Sequence, residues 1–259
     1  MTSPNMSTSP LLVFDLDGTL AETAGDLVAT LNHILAREGL KGVSYEAARE
    51  MVGLGARSLI SQGFASNGHT LEPARLEALF IDYLAFYEAN IAVHTHLYSG
   101  VIASLDRFEA AGWQFAVCTN KVEGPSIKLL KALGVAERFK AICGQDTFAW
   151  CKPDKRALLA TIEKAGGLPA SSIMVGDSRT DIATAKNAGI PVVAVDFGYT
   201  DTPVTQLDPD IVISHFDALW DAVAGLRRAN PGHANPGHAN PGHANPGPAN
   251  PGPANPGHA

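Results

Sequence analysis

Short apolar runs recur along the chain, spaced so that a helix fits between most neighbours. They are Leu11-Leu12-Val13-Phe14, Phe115-Ala116-Val117-Cys118, Ala141-Ile142-Cys143, Ile173-Met174-Val175, Val192-Val193-Ala194-Val195 and Ile211-Val212-Ile213. Continuous apolar runs, as opposed to alternating ones, suit strands covered on both faces. Helical periodicity fills the gaps at 100–111, 123–133, 154–165, 179–188 and 215–226. This alternation predicts an α/β fold with right-handed crossovers and a doubly wound parallel sheet. In such sheets ligands sit at the carboxyl ends of the strands.

The interval between the first two runs is far longer than one crossover helix requires. It carries helical patterns over 24–38, 45–52, 56–65 and 72–91 and no clear strand. The last places Leu76, Leu79, Phe80, Tyr83, Leu84 and Tyr87 on one face. The expected division is a loose leader at 1–9, an α/β core at 10–22 and 94–228, a helical cap at 23–93 and a tail at 229–259. That tail repeats Ala-Asn-Pro-Gly-His, with Pro later replacing some of the His residues. Lacking bulky apolar residues, it is expected to be disordered, and His233, His238, His243 and His258 read as parts of a solvated spacer.

Composition narrows the function. A hydrophobic fraction of 46% with 17% charged residues fits a globular protein, and a formal charge of −7 disfavours nucleic acid as the main partner. No apolar run approaches the roughly 18 to 20 residues that span a bilayer, and the leader lacks the features of a secretory signal. Cys118, Cys143 and Cys151 are widely spaced, which indicates neither a disulfide framework nor a zinc site. A monomer or homodimer in a reducing cytoplasm, acting on a small molecule, is the expectation.

The chemistry concentrates in Asp15-Leu16-Asp17-Gly18-Thr19-Leu20, at the end of the first predicted strand. Carboxylates two residues apart project to the same side of an extended chain. Gly18 permits a sharp exit. This segment resembles the first motif of the haloacid-dehalogenase-like hydrolase superfamily. The later motifs have counterparts in order, each near a predicted strand end: Thr119-Asn120, Lys152-Pro153-Asp154, and Gly176-Asp177-Ser178-Arg179-Thr180-Asp181.

The resemblance implies a Mg²⁺-dependent phosphatase. Asp15 would be the nucleophile that becomes an aspartyl phosphate, and Asp17 the general acid and then base. The implied metal ligands are the Asp15 carboxylate, the Asp17 carbonyl and the Asp177 carboxylate, with Asp181 acting through a water. Thr119 and Asn120 would bind phosphate oxygens, and Lys152 would offset negative charge. Cys118, in a buried-strand pattern with no neighbouring His, reads as packing, while His94 and His96 read as hinge residues.

The helical insertion is similar to the cap of the phosphoglycolate phosphatase group, in Asp26-Leu27 and in Gly53-Leu54-Gly55-Ala56-Arg57. Ala21-Glu22-Thr23 and Phe148-Ala149-Trp150-Cys151 depart from that group's pattern. The likeness implies 2-phosphoglycolate as substrate, with Arg57 and nearby backbone amides lowered onto its carboxylate. A sugar phosphomutase and a phosphatase of another small ester are the enzyme alternatives. A noncatalytic binding protein on the same fold is the third. Release of inorganic phosphate separates hydrolase from mutase, and loss of activity in Asp15→Asn separates both from a binding protein.

Overall fold

The computed structural model describes residues 9–49, 51–200 and 202–229; what was expected of 1–8 and of the repeats from 230 onward lies outside them. The predicted apolar runs form the strands of a parallel sheet. In chain order the strands are β1 Leu11–Phe14, β2 Ala21–Glu22, β3 His96–Leu97, β4 Gln114–Cys118, β5 Phe139–Cys143, β6 Ser172–Gly176, β7 Val192–Val195 and β8 Ile211–Ile213. The main sheet has the order β5-β4-β1-β6-β7-β8 with every pairing parallel. The chain runs outward from β1 to β5, then crosses back to β6 on the other side of β1. That reversal leaves a crevice at the carboxyl ends of β1, β4 and β6.

Period-two alternation explains why the sheet is covered on both faces. Leu12 and Phe14 join Phe115, Val117, Ile173 and Val175 in one core, while Leu11 and Val13 join Ala116, Cys118 and Met174 in another. Every β1 residue is fully buried. Each such Leu, Val or Phe side chain contributes about 1.5–3 kcal/mol on burial.

The helices are α1 Ala24–Arg37, α2 Tyr45–Arg49, α3 Ala56–Ala65, α4 Pro73–Ala89, α5 Val101–Ala110, α6 Glu123–Ala132, α7 Lys155–Lys164, α8 Arg179–Ala188 and α9 Leu219–Ala229. The helix expected over 215–226 begins as a 3-10 turn, Phe216–Ala218, before α9. Helices α1, α3 and α4 pack around their own core, which includes Leu31, Ile34, Leu59, Phe64, Leu79 and Tyr83. No helix among the described residues is long and apolar enough to cross a membrane.

The main addition to the sequence reading is the ribbon of β2 and β3, antiparallel, with Ala21 opposite Leu97 and Glu22 opposite His96. Strands of two residues leave no periodicity to read. The ribbon carries the chain from the sheet into the helical insertion and back. Asp26 of α1 locks the return: its buried carboxylate accepts from His94 N (2.9 Å), Thr95 N (3.0 Å) and Thr95 Oγ1 (2.7 Å).

Candidate active site

Three strand ends assemble the site. Asp15 follows β1 directly, and its amide is held by Val175 O of β6 at 2.9 Å. The chain then turns tightly, with the amides of Leu20 and Ala21 both donating to Leu16 O. Gly18 makes the turn possible with φ +83°, and it also makes room: a Cβ there would lie 2.5 Å from Asp177 Oδ2. Gly198 on the opposite side is equally constrained, its notional Cβ falling 2.3 Å from the same oxygen.

Asp177 directly follows β6 and is almost wholly buried. Its two oxygens accept from Thr19 Oγ1 at 2.7 Å and from Tyr199 N at 2.6 Å. Asp181, in the first turn of the following helix, forms a capping box with Ser178, the reciprocal pairing that fixes a helix start. Its Oδ2 accepts from Ser178 Oγ at 2.6 Å and Ser178 N at 3.1 Å, and its Oδ1 accepts from Lys152 Nζ at 2.5 Å. With both oxygens so engaged, Asp181 is built to hold Lys152.

Lys152 Nζ also lies 2.9 Å from Asp15 Oδ1, at ion-pair distance but off the axis a hydrogen bond needs. Asp15 Oδ1 is thus buried without a hydrogen bond. Oxygens of Asp15, Asp177 and Asp181 gather within 4.8 Å of one another. Four carboxylates (these three and Asp17) face two ammonium groups, Lys121 and Lys152. When all are ionised, the two uncompensated negative charges equal in size the charge of one divalent cation. The orphaned oxygen and the all-carboxylate donor set suit a hard cation such as Mg²⁺.

The electrostatics carry the same imbalance. Burial pushes the Asp15 carboxyl up to about 6; Lys152 pulls it down and Asp181 pushes it up again. Burial, then the charges of Asp181 and Asp15, hold Asp177 well above the usual carboxylate range. Burial works against the Lys152 ammonium, but Asp15 and Asp181 outweigh it and its proton is held more tightly than usual. Burial also pushes the Cys118 thiol up to about 12, which leaves it no thiolate for nucleophilic chemistry near neutrality.

A cavity of about 40 Å³ lies between this acid cluster and the helical insertion. Asp15, Asp17, Thr119, Asn120 and Lys121 line it from below, and Leu27, Gly55, Ala56, Leu59, Tyr83 and Tyr87 from above. Thr119 is buried at the end of β4, its amide bonded to Cys143 O at 3.0 Å. The Asn120 side-chain amide, expected on phosphate oxygens, donates to Lys152 O at 3.1 Å, which leaves one of its two hydrogens uncommitted.

Arg57, expected over the substrate's carboxylate, points away from the cavity. Its guanidinium makes a bidentate pair with Glu77 at 2.6 and 2.8 Å and lies 3.6 Å over the Phe80 ring. The side chain is 42% exposed and is absent from the cavity lining. Successive residues of a helix are rotated by roughly 100°. With Ala56 turned to the cavity at the start of α3, Arg57 faces α4.

Lys121 went unread in the sequence. Its ammonium lies 3.1 and 3.3 Å from the two Asp17 oxygens and 4.3 Å over the Tyr87 ring, with only 7% of the side chain exposed. The signal was its place directly after Thr119-Asn120. Glu22, noted only as a departure, is a hinge hub: it accepts from Tyr98 OH (3.0 Å), Tyr45 OH (3.2 Å) and Tyr199 OH. Tyr199 thereby joins Asp177, through its amide, to the hinge, through its hydroxyl.

Comparisons with known proteins agree with this geometry. The profile of the haloacid dehalogenase-like hydrolase family matches residues 12–195. A phosphoglycolate phosphatase of Mesorhizobium japonicum is 51% identical over 210 residues, spanning 81% of this chain and 92% of that protein. Another, from Agrobacterium fabrum, is 47% identical over 215 residues, spanning 83% and 92%. The crystal structure of a predicted phosphoglycolate phosphatase from Haemophilus somnus 129PT superposes with a TM-score of 0.77 at 26% identity, covering 85% of this chain and 99% of that one. The chain belongs to the haloacid dehalogenase-like hydrolase family.

Proposed function

We propose that the protein is a Mg²⁺-dependent phosphatase that hydrolyses 2-phosphoglycolate to glycolate and phosphate through an aspartyl phosphate on Asp15. The observation that carries the reading is the buried Asp15 oxygen, free of hydrogen bonds, set beside Lys152 and within 4.8 Å of Asp177 and Asp181 oxygens. The substrate rests on the similarity to the two phosphoglycolate phosphatases. The position of the cavity, between the acid cluster and the helical insertion, accords with a small ester.

The roles are those the family resemblance implies, and the gathering of Asp15, Lys152, Asp177 and Asp181 supports them. Asp15 Oδ attacks phosphorus as the bond to the ester oxygen breaks, and Asp17 gives that oxygen its proton. Water then attacks the same phosphorus, Asp17 takes its proton, and the bond to Asp15 breaks to release phosphate. Mg²⁺, held by Asp15, the Asp17 carbonyl and Asp177, would supply positive charge that offsets the phosphoryl oxygens. Thr119 orients the phosphoryl group. Lys152 offsets its charge, and Asp181 keeps the ammonium in place.

The test is phosphate release from 2-phosphoglycolate. Wild-type protein with Mg²⁺ is expected to turn over, EDTA to stop it, and Asp15→Asn to lower it by at least about 10⁴-fold, as loss of a covalent nucleophile does. Retained activity in Asp15→Asn would sink the mechanism. A wild type that prefers another phosphate ester would sink the substrate assignment alone.

A further inference from the structure

We infer that Lys121 and the Tyr87 hydroxyl form the subsite that receives the substrate's carboxylate, so that they, and not Arg57, select for esters carrying a second anion. The inference rests on the phosphoglycolate reading. That substrate carries its carboxylate one methylene from the ester oxygen. The group must therefore be enclosed with the phosphate, and an enclosed carboxylate needs a cation or donors close by.

Few groups in the cavity can serve. Lys152 is committed below, between Asp15 and Asp181. Arg57 is committed outside, to Glu77 and Phe80. The cation that does line the cavity is Lys121, whose geometric hydrogen bonds from Nζ go to Asp17, two residues from the nucleophile. An ammonium carries three donors, and an anion arriving between Asp17 and the cap meets this one first.

Tyr87 supplies an independent observation. It is 1% exposed, it lines the cavity, and its hydroxyl, beside the Lys121 ammonium, has no acceptor for its own hydrogen. Its neighbour Tyr83, equally buried, does have one, Leu27 O at 3.2 Å. A buried hydroxyl is normally satisfied, and an orphan on a cavity wall is a donor held for something that arrives. The ring lies under the Lys121 ammonium at 4.3 Å, so cation and donor are side by side. The start of α3, at Gly55 and Ala56, adds the partial positive charge of a helix N-terminus to the same wall.

Ethyl phosphate, in which a methyl replaces the carboxylate, isolates the subsite. With the full chain and Mg²⁺, kcat/KM is measured on 2-phosphoglycolate and on ethyl phosphate for wild type, Lys121→Met, Lys121→Arg and Tyr87→Phe. The ratio of the two values is expected to fall by about 100-fold or more in Lys121→Met and about 10-fold in Tyr87→Phe, with Lys121→Arg retaining part of it. Tyr87→Phe keeps the ring under the Lys121 ammonium and removes no hydrogen bond that the hydroxyl donates, so its melting temperature should hold even if Lys121→Met folds poorly. Equal losses on both esters would mean that Lys121 acts only through Asp17, and would overturn the inference. A wild-type preference that survives Lys121→Met and Tyr87→Phe overturns it too. A wild type with no preference for 2-phosphoglycolate sinks the substrate reading, and this subsite with it.

Discussion

Asp15→Asn probes the charge imbalance of the site through stability as well as through rate. The substitution replaces a buried carboxyl with a neutral amide of the same shape. Burial moves the Asp15 carboxyl from its ordinary 3.8 to about 6, despite the pull of Lys152. The side chain is 11% exposed, so water screens little of this. A carboxyl moved that far disfavours the ionised folded state by about 3 kcal/mol at neutral pH. Between those two values the folded chain binds more protons than the unfolded one. Its contribution to stability is therefore full below 3.8 and is lost as pH rises through about 6. Asparagine does not titrate. In EDTA, the variant should thus gain about 3 kcal/mol on wild type between about pH 4 and pH 7, or about 6–12 °C of melting temperature for a domain of this size. Any fixed cost of seating an amide beside Lys152 cancels from that slope. Asp177 is pushed up partly by Asp15, so neutralising Asp15 acts in the same direction. Saturating Mg²⁺ should reverse the trend, because it binds the ionised wild-type site more tightly than the variant. Thermal unfolding of both proteins across this pH range, with EDTA and with Mg²⁺, provides the measurement. A difference in EDTA that stays flat with pH, or that favours wild type as pH rises, would refute the reasoning.

Two further substitutions have outcomes set by the same geometry. Gly18→Ala should destabilise the protein by about 2 kcal/mol or more and cut turnover by about 100-fold, because the φ is positive and the added carbon meets Asp177 Oδ2 at 2.5 Å and Tyr199 Cδ2 at 2.8 Å; unfolding and kinetic assays of one preparation read both. Arg57→Ala should change KM for 2-phosphoglycolate by less than about threefold and stability by about 1 kcal/mol, the worth of an exposed ion pair with a cation–π contact. A tenfold rise in KM would restore Arg57 to the substrate.

The legibility of a residue in the sequence depends on how far its role is set by its neighbours along the chain. Leu11 to Phe14 and Val192 to Val195 read as strands because a parallel sheet needs apolar residues on both faces, and the runs end where the strands end. Asp15, Asp177 and Lys152 are legible because the residues just past a strand end have little freedom, so position in the chain nearly determines position in the crevice. Arg57 and Lys121 escape for a common reason. Each comes directly after a residue that lines the cavity, Ala56 or Asn120, but the direction of its side chain is settled by a partner far away in sequence. For Arg57 that partner is Glu77 on α4, which turns it outward; for Lys121 the partners are Asp17 and Tyr87, which hold it inward. Nothing within a few residues of either one distinguishes the two cases. Glu22 fits the same account: it stands out as a departure, yet its role requires Tyr45, Tyr98 and Tyr199 to converge on it from the helical insertion and two loops of the core. The chemistry of this site is therefore written locally at the strand ends. The contacts between the sheet and the helices above it are written across the chain, which is why a motif can place a carboxylate at a strand end and leave the direction of a cap side chain open.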